Sequence, residues 1–177
     1  FYIDQGTNED NPEAHYKTTG PEIWADTDGK VDYVVALVGT GGTLAGLSRY
    51  FKEKNPNVKI IGAQPAKQSR KSLDHPEANT IDGVLAFDEV PTDKIPVFFS
   101  PEHLPYDECL DIIAEDAYAT GRKLVKTDGI FLGQSAAAAV KAATEVAKRP
   151  EAEGKNIVVI LADNAFKYLS TNMYKED

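Results

Sequence analysis

The chain has 177 residues, which suits one well-buried domain and gives no reason to look for a second. Apolar residues at 42% and charged residues at 27% exclude a fibrous or disordered chain and fit a soluble globular protein. The 28 acidic residues outweigh 19 basic ones, and a net charge of -9 argues against nucleic acid or an anionic membrane surface as the main partner.

The chain opens on Phe1 with FYIDQ, which has neither a basic nor an apolar leader and reads as part of a longer protein already in progress. Residues 12–24, PEAHYKTTGPEIW, have helical spacing, but Gly20-Pro21 predicts a break into a short helix and a further turn. Residues 32–38 form a β-branched run, expected to be a strand buried on both faces. A helix follows over 41–54, with Leu44, Leu47, Tyr50 and Phe51 on one side and Arg49, Lys52 and Glu53 on the other. KIIGAQP is the next short buried strand.

Strand, glycine turn, helix and strand make a βαβ unit, which implies a parallel sheet. Residues 66–105 carry prolines, glycines and scattered apolar residues, and read as a long irregular excursion of the kind that is usually functional. The alternation then resumes with a strand at 106–113, a helix at 114–127 and an alanine-rich helix at 134–148. Residues 156–162, NIVVILA, close the series as a central strand. The fold class is α/β, a mostly parallel sheet flanked by helices.

Cys109 is the single cysteine, so no intrachain disulfide can form, four-cysteine zinc patterns are excluded, and a reducing, cytoplasmic setting fits. Its place in the strand-like YDECLDII predicts a buried inert thiol. No apolar run approaches the roughly 20 residues of a membrane span. His15, His75 and His103 form no metal spacing and are read as surface or capping residues, so no metal is expected.

The most informative stretch is VGTGGTL, residues 38–44, between a buried strand and a helix. A helix start after a glycine turn presents unpaired N–H groups and the positive end of the helix dipole, a setting for phosphate. Leu44 stands where a dinucleotide fingerprint needs Gly or Ala, and Leu47 where a triphosphate loop needs lysine. What remains is a small monophosphate held by backbone amides and the hydroxyls of Thr40 and Thr43, or a turn that merely lets helix and strand pack.

The stretch GTGGTLAGLSRYFKEKNPNVKIIGAQP resembles the phosphate loop, helix and strand of the cysteine synthase and cystathionine β-synthase family of fold-type II pyridoxal phosphate enzymes. NPEAHYKTTGPEIW, GIFLGQSAAAAVKAA and NIVVILADNAFKYLST are similar to that family's other segments, in the same order. The resemblance implies the large domain of the tryptophan synthase β-like fold. It also implies that Gly39, Thr40, Gly41, Gly42 and Thr43 bind the phosphate of pyridoxal 5'-phosphate, with Ser135 at the pyridine nitrogen. A neutral hydroxyl there makes the ring a weaker electron sink than an aspartate would, which suits elimination at Cβ. Ser135 also reads as the N-cap of the alanine-rich helix.

Gly83 matches a family glycine that lines the active site, and Asp82 before it is closer to the cystathionine β-synthase pattern; both are expected at the substrate pocket. Ala137 and Leu85 stand where relatives often have glycine, which leaves the shape of the substrate side open. Lys67, Arg70 or Lys71 in KQSRKS could meet an anionic leaving group, with a solvated face as the alternative reading.

The family also needs a lysine that forms a Schiff base with the cofactor, in a segment upstream of Phe1, and no lysine of this chain sits in that motif. The catalytic lysine is therefore unassigned, and residues 1–177 are expected to be the C-terminal part of the enzyme, completed by its N-terminal part in a homodimer. The resemblance implies cysteine formation from a small amino-acid substrate, an O-acetylserine-like activated serine, and sulfide through an aminoacrylate. The alternatives are serine with homocysteine, giving cystathionine, and a non-catalytic ligand-binding module.

Overall fold

The computed structural model describes residues 2–74, 76–86, 96–99 and 105–175. Four strands, β1 (Tyr33–Leu37), β2 (Lys59–Pro65), β3 (Glu108–Ile112) and β4 (Ile157–Val159), form a wholly parallel sheet in the order β3-β2-β1-β4. Helices α1 (Asp10–Ala14), α2 (Gly20–Asp26) and α3 (Gly42–Lys54) belong to one side, and α4 (Ala114–Thr127) and α5 (Gln134–Ala147) to the other.

The β-branched runs are continuous because both faces of the sheet are covered. In β1, Tyr33 and Val35 join the core beneath α4 and α5, while Val34 and Ala36 join the core beneath α3. β2 alternates the same way, with Ile61 and Ala63 on the first face and Ile60 on the second. The apolar side of α3 is as expected: Leu44, Leu47, Tyr50 and Phe51 are all buried.

Three expectations are corrected. Among the described residues NIVVILA supplies an end strand and not a central one, since β4 pairs there with β1 alone. Ile157 and Val159 pack on one core and Val158 and Ile160 on the other, so its two faces are covered although its outer edge has no strand partner among the described residues. Apolar runs report face burial, not position in the sheet. Second, Gly20-Pro21 does not break the helix. A π-helical turn, His15–Thr19, joins α1 to α2, with the Gly20 amide donating to His15 O. The wide turn accommodates the donor missing at Pro21. Gly20 serves packing, because a Cβ there would stand 2.6 Å from Cγ of Tyr50 on α3. Third, Cys109 is half-buried rather than buried.

The small residues of α5 allow close approach to α4: a Cβ at Gly121 would lie 3.2 Å from the Ala137 Cβ and 2.4 Å from Met173 Cε. Ala137 is thus fully buried at the helix contact and not on the pocket side. In KQSRKS, Ser69 caps α4 by accepting from the Ala114 amide at 2.7 Å, and Arg70 donates to Pro65 O through Nε and Nη2. Lys67 and Lys71 are exposed.

Asp107 fastens the entry to β3. Its carboxylate accepts from the Ile60 amide at 2.7 Å and from Lys52 at 2.9 Å, with Lys59 at 3.7 Å. Burial pushes its pKa up, but the Ile60 amide and Lys52 outweigh that and hold it below the ordinary aspartate range. Its stabilising effect is therefore complete above the unfolded value of about 3.9 and lost as pH falls through the depressed folded value. Asp107→Ala is expected to cost about 1–3 kcal/mol by orphaning the Ile60 amide. It should also flatten the acid limb of the stability–pH curve, which urea unfolding of the full-length protein from pH 3 to 7 measures.

Candidate functional site

From β1 the chain moves outward through β2 to β3, then returns to place β4 on the opposite side of β1. The carboxyl ends of β1 and β4 thus flank the point where the strand order reverses, where open α/β sheets leave a crevice. A cavity of about 610 Å³ opens there. Its walls include Gly39 to Leu44 after β1, Gly83 to Leu85, Ser135, and Ile160 and Ala162 after β4. No lysine is among the described residues that line it.

Each loop glycine has a steric reason. Gly41, before the first residue of α3, is left-handed with φ +91°, and a Cβ on it would lie 2.7 Å from the Phe99 ring. A Cβ at Gly39 would stand 2.8 Å from Gly83 O, and one at Gly42 would fall 2.0 Å from Asn11 Oδ1. The glycines admit three other segments of the chain around the loop. Leu85 N donates to Val38 O at 2.9 Å, which ties the Gly83 segment to the loop. Gly41 provides no side-chain cap, so the first-turn amides of α3 remain available to an anion.

Both threonine hydroxyls are engaged from outside the cavity. Thr40 Oγ1 accepts from Asn11 Nδ2 at 3.0 Å, and Thr43 Oγ1 lies 3.1 Å from His15 Nε2. His15, half-buried at the C-terminal end of α1 and its cap, thus reaches the loop as well; His75 and His103 lie outside the described residues. A glycine cradle, two threonine hydroxyls and open amides fit a phosphate monoester.

Ser135 lines the same cavity but is not the N-cap of α5, a position that Gly133 takes. The Asp163 carboxylate, just past β4, caps the helix instead. It accepts from the Ala136 amide at 2.7 Å and from the Ser135 amide at 3.3 Å. Gly133 makes this possible, since a Cβ there would meet that carboxylate at 2.3 Å. Released from capping, the Ser135 hydroxyl has no hydrogen-bond partner among the described residues. Burial, then the Asp163 carboxylate, push the Tyr168 phenol well up, so it stays protonated.

Gly83 lines the cavity with φ +76°. Asp82 is absent from the lining: its amide donates to Gln134 Oε1 at 2.9 Å and its half-exposed carboxylate lies 3.8 Å from Lys167. Leu85, 41% exposed, is an apolar wall of the cavity. Lys67, Arg70 and Lys71 do not line it.

The profile of the family described as pyridoxal-phosphate dependent enzyme matches residues 1–163. The chain belongs to that family. Relatives include cysteine synthase B of Escherichia coli K12, 40% identical over 176 residues, which are 99% of this chain and 52% of that protein. Cysteine synthase 3 of Caenorhabditis elegans is also 40% identical, over 98% of this chain and 49% of its own length. Among solved structures, cysteine synthase from Entamoeba histolytica superposes with a TM-score of 0.82 at 39% identity, covering 100% of this chain and 50% of its own. O-ureido-L-serine synthase gives 0.82 at 29% identity, over 98% and 52%. The chain spans about half the length of the curated relatives it matches.

Asn11, Asp163 and Phe99 are not singled out by the sequence, and His15 is read there only as a surface or capping residue. Asn11, His15 and Thr19 recur every four residues, a polar stripe on a helical run, which was the legible signal for the first two. Asp163 and Phe99 reach their partners, Ala136 and Gly41, across long stretches of chain, and no local pattern marks them.

Proposed function

We propose that the full-length protein is a pyridoxal 5'-phosphate-dependent cysteine synthase acting on an activated serine such as O-acetylserine, with sulfide as nucleophile. In that reaction the Cβ–O bond breaks, acetate leaves, and a Cβ–S bond forms. The observation that carries the reading is the cavity at the β1/β4 reversal, which has the glycine loop and Ser135 in its walls. When bound, the cofactor supplies an electron sink for the Cα position. The Gly39–Thr43 loop would hold its phosphate through the first-turn amides of α3 and the two threonine hydroxyls. Ser135 would meet its ring nitrogen as a neutral hydroxyl, kept in place by the Asp163 cap on α5. Gly83 and Leu85 would bound the substrate side, with Asp82 supporting that turn from outside.

The cysteine synthases among the relatives favour this reading over cystathionine formation. On this proposal the chain is the C-terminal part of the enzyme, mainly its large cofactor-binding domain. The Schiff-base lysine comes from the N-terminal part, and the whole acts as a cytoplasmic homodimer. Among the described residues, no helix is long and apolar enough to cross a membrane.

Steady-state assays of the full-length protein with each donor and acceptor test the proposal. We expect cysteine from O-acetylserine and sulfide, with kcat/KM at least about 100-fold above serine with homocysteine, a difference of about 3 kcal/mol in transition-state binding. Preference for unactivated serine with homocysteine contradicts it.

A further inference from the structure

Side chains of one helical stretch meet both loop threonines. Asn11 Nδ2 reaches Gln5 O at 2.7 Å and Thr40 Oγ1 at 3.0 Å. A carbonyl oxygen only accepts, so the Gln5 contact identifies that end of Asn11 as the NH2 group, and Thr40 receives its bond. The Thr40 proton is thereby left for the cavity that Thr40 lines.

One turn further on, His15 stands between two hydroxyls, with Nε2 3.1 Å from Thr43 Oγ1 and Nδ1 3.0 Å from Thr19 Oγ1. Burial lowers the imidazole pKa, so near pH 7 the ring is neutral and carries a single N–H. Both tautomers satisfy these distances, but their consequences are opposite. With N–H on Nδ1, Thr43 must donate to Nε2 and its only proton points away from the cavity. With N–H on Nε2, Thr43 accepts from the ring, and its own proton turns toward the cavity it lines.

We propose that His15 is a positioning residue for the anion cradle: Thr19 donates to its Nδ1, its Nε2–H donates to Thr43, and the Thr43 hydroxyl is thereby aimed at a phosphate oxygen. Asn11 does the same for Thr40. The inference rests on the reading of this loop as the cofactor-phosphate site. Two features support it. Gly46 brings α3 hard against this stripe, since a Cβ there would lie 2.2 Å from Pro12 O and 2.8 Å from the His15 Cβ. The start of α3 also has no side-chain cap, so correctly turned hydroxyls add directly to the donors the loop offers.

Two measurements on the full-length protein test the relay. Nitrogen-15 NMR of labelled histidine reports the tautomer, and the expected result is protonation at Nε2 of His15; protonation at Nδ1 overturns the proposal. Equilibrium binding of pyridoxal phosphate and of pyridoxal then gives the preference for the phosphate-bearing ligand. His15→Asn keeps a polar group near the Nδ1 position but cannot reach Thr43, and should reduce that preference about tenfold. His15→Gln places an amide NH2 near the Nε2 position and should restore most of it. Equal preference in the two variants, while Thr43→Ala lowers it, overturns the proposal. If Thr43→Ala leaves the preference unchanged, the cofactor-phosphate reading fails instead, and the tautomer spectrum alone decides the relay.

Discussion

Gly41→Val is expected to leave the full-length protein without retained cofactor after dialysis and to destabilise it more than any other single change in the loop. A β-branched residue at φ +91° carries backbone strain of about 1–3 kcal/mol. The new side chain would also run into the Phe99 ring 2.7 Å from its Cβ, and overpacking of this kind costs about 1–3 kcal/mol more. The two parts can be separated. Gly41→Ala combined with Phe99→Ala relieves the steric part and keeps the strain, so the double variant should be destabilised by less than the sum of the two single changes, yet by more than Phe99→Ala alone. Urea unfolding measures both steps. Full additivity of the two single changes would mean that Phe99 is not what excludes a side chain at Gly41.

Asp163→Ala should be the most damaging change on the Ser135 side. It removes the acceptor for the Ser135 and Ala136 amides at the start of α5, and losing such a cap costs about 1–2 kcal/mol. The melting temperature of the full-length protein should fall by a few degrees. The start of α5 carries Ser135 into the cavity, so a frayed first turn should also blur the Ser135 position and weaken cofactor binding. Asp163→Asn keeps an oxygen acceptor and should restore much of the stability, because asparagine caps helices nearly as well as aspartate. A melting temperature unchanged by Asp163→Ala would remove Asp163 from the account.

Much of this site was legible in the sequence because its chemistry is local. The loop VGTGGTL lies between a short continuous β-branched run, 32–38, and a helix whose 3.6-residue periodicity is readable over 41–54. The bounds of β2 and α4 follow from runs closed by Pro65 and, near the helix end, Gly129. Harder to read was anything decided by a distant partner. Gly20 looks like a helix breaker until Tyr50 is seen against it, and Gly42 looks like a phosphate glycine although its missing side chain makes room for Asn11. Ser135 has the identity of a cap, yet Asp163, 28 residues later, performs that role. β4 has the composition of a central strand because faces, and not edges, determine composition. In each case the local pattern was real and a tertiary contact chose its meaning.

The central claim is that the Gly39–Thr43 loop holds the phosphate of the cofactor. It is tested most directly by a thermodynamic cycle in the full-length protein, with pyridoxal phosphate and pyridoxal as ligands and Thr43→Ala as the mutation. A charge-assisted hydrogen bond from Thr43 to the phosphate predicts that the mutation weakens pyridoxal phosphate binding by about 1.5–3 kcal/mol and leaves pyridoxal binding unchanged. Equal effects on the two ligands, or none on either, would contradict it.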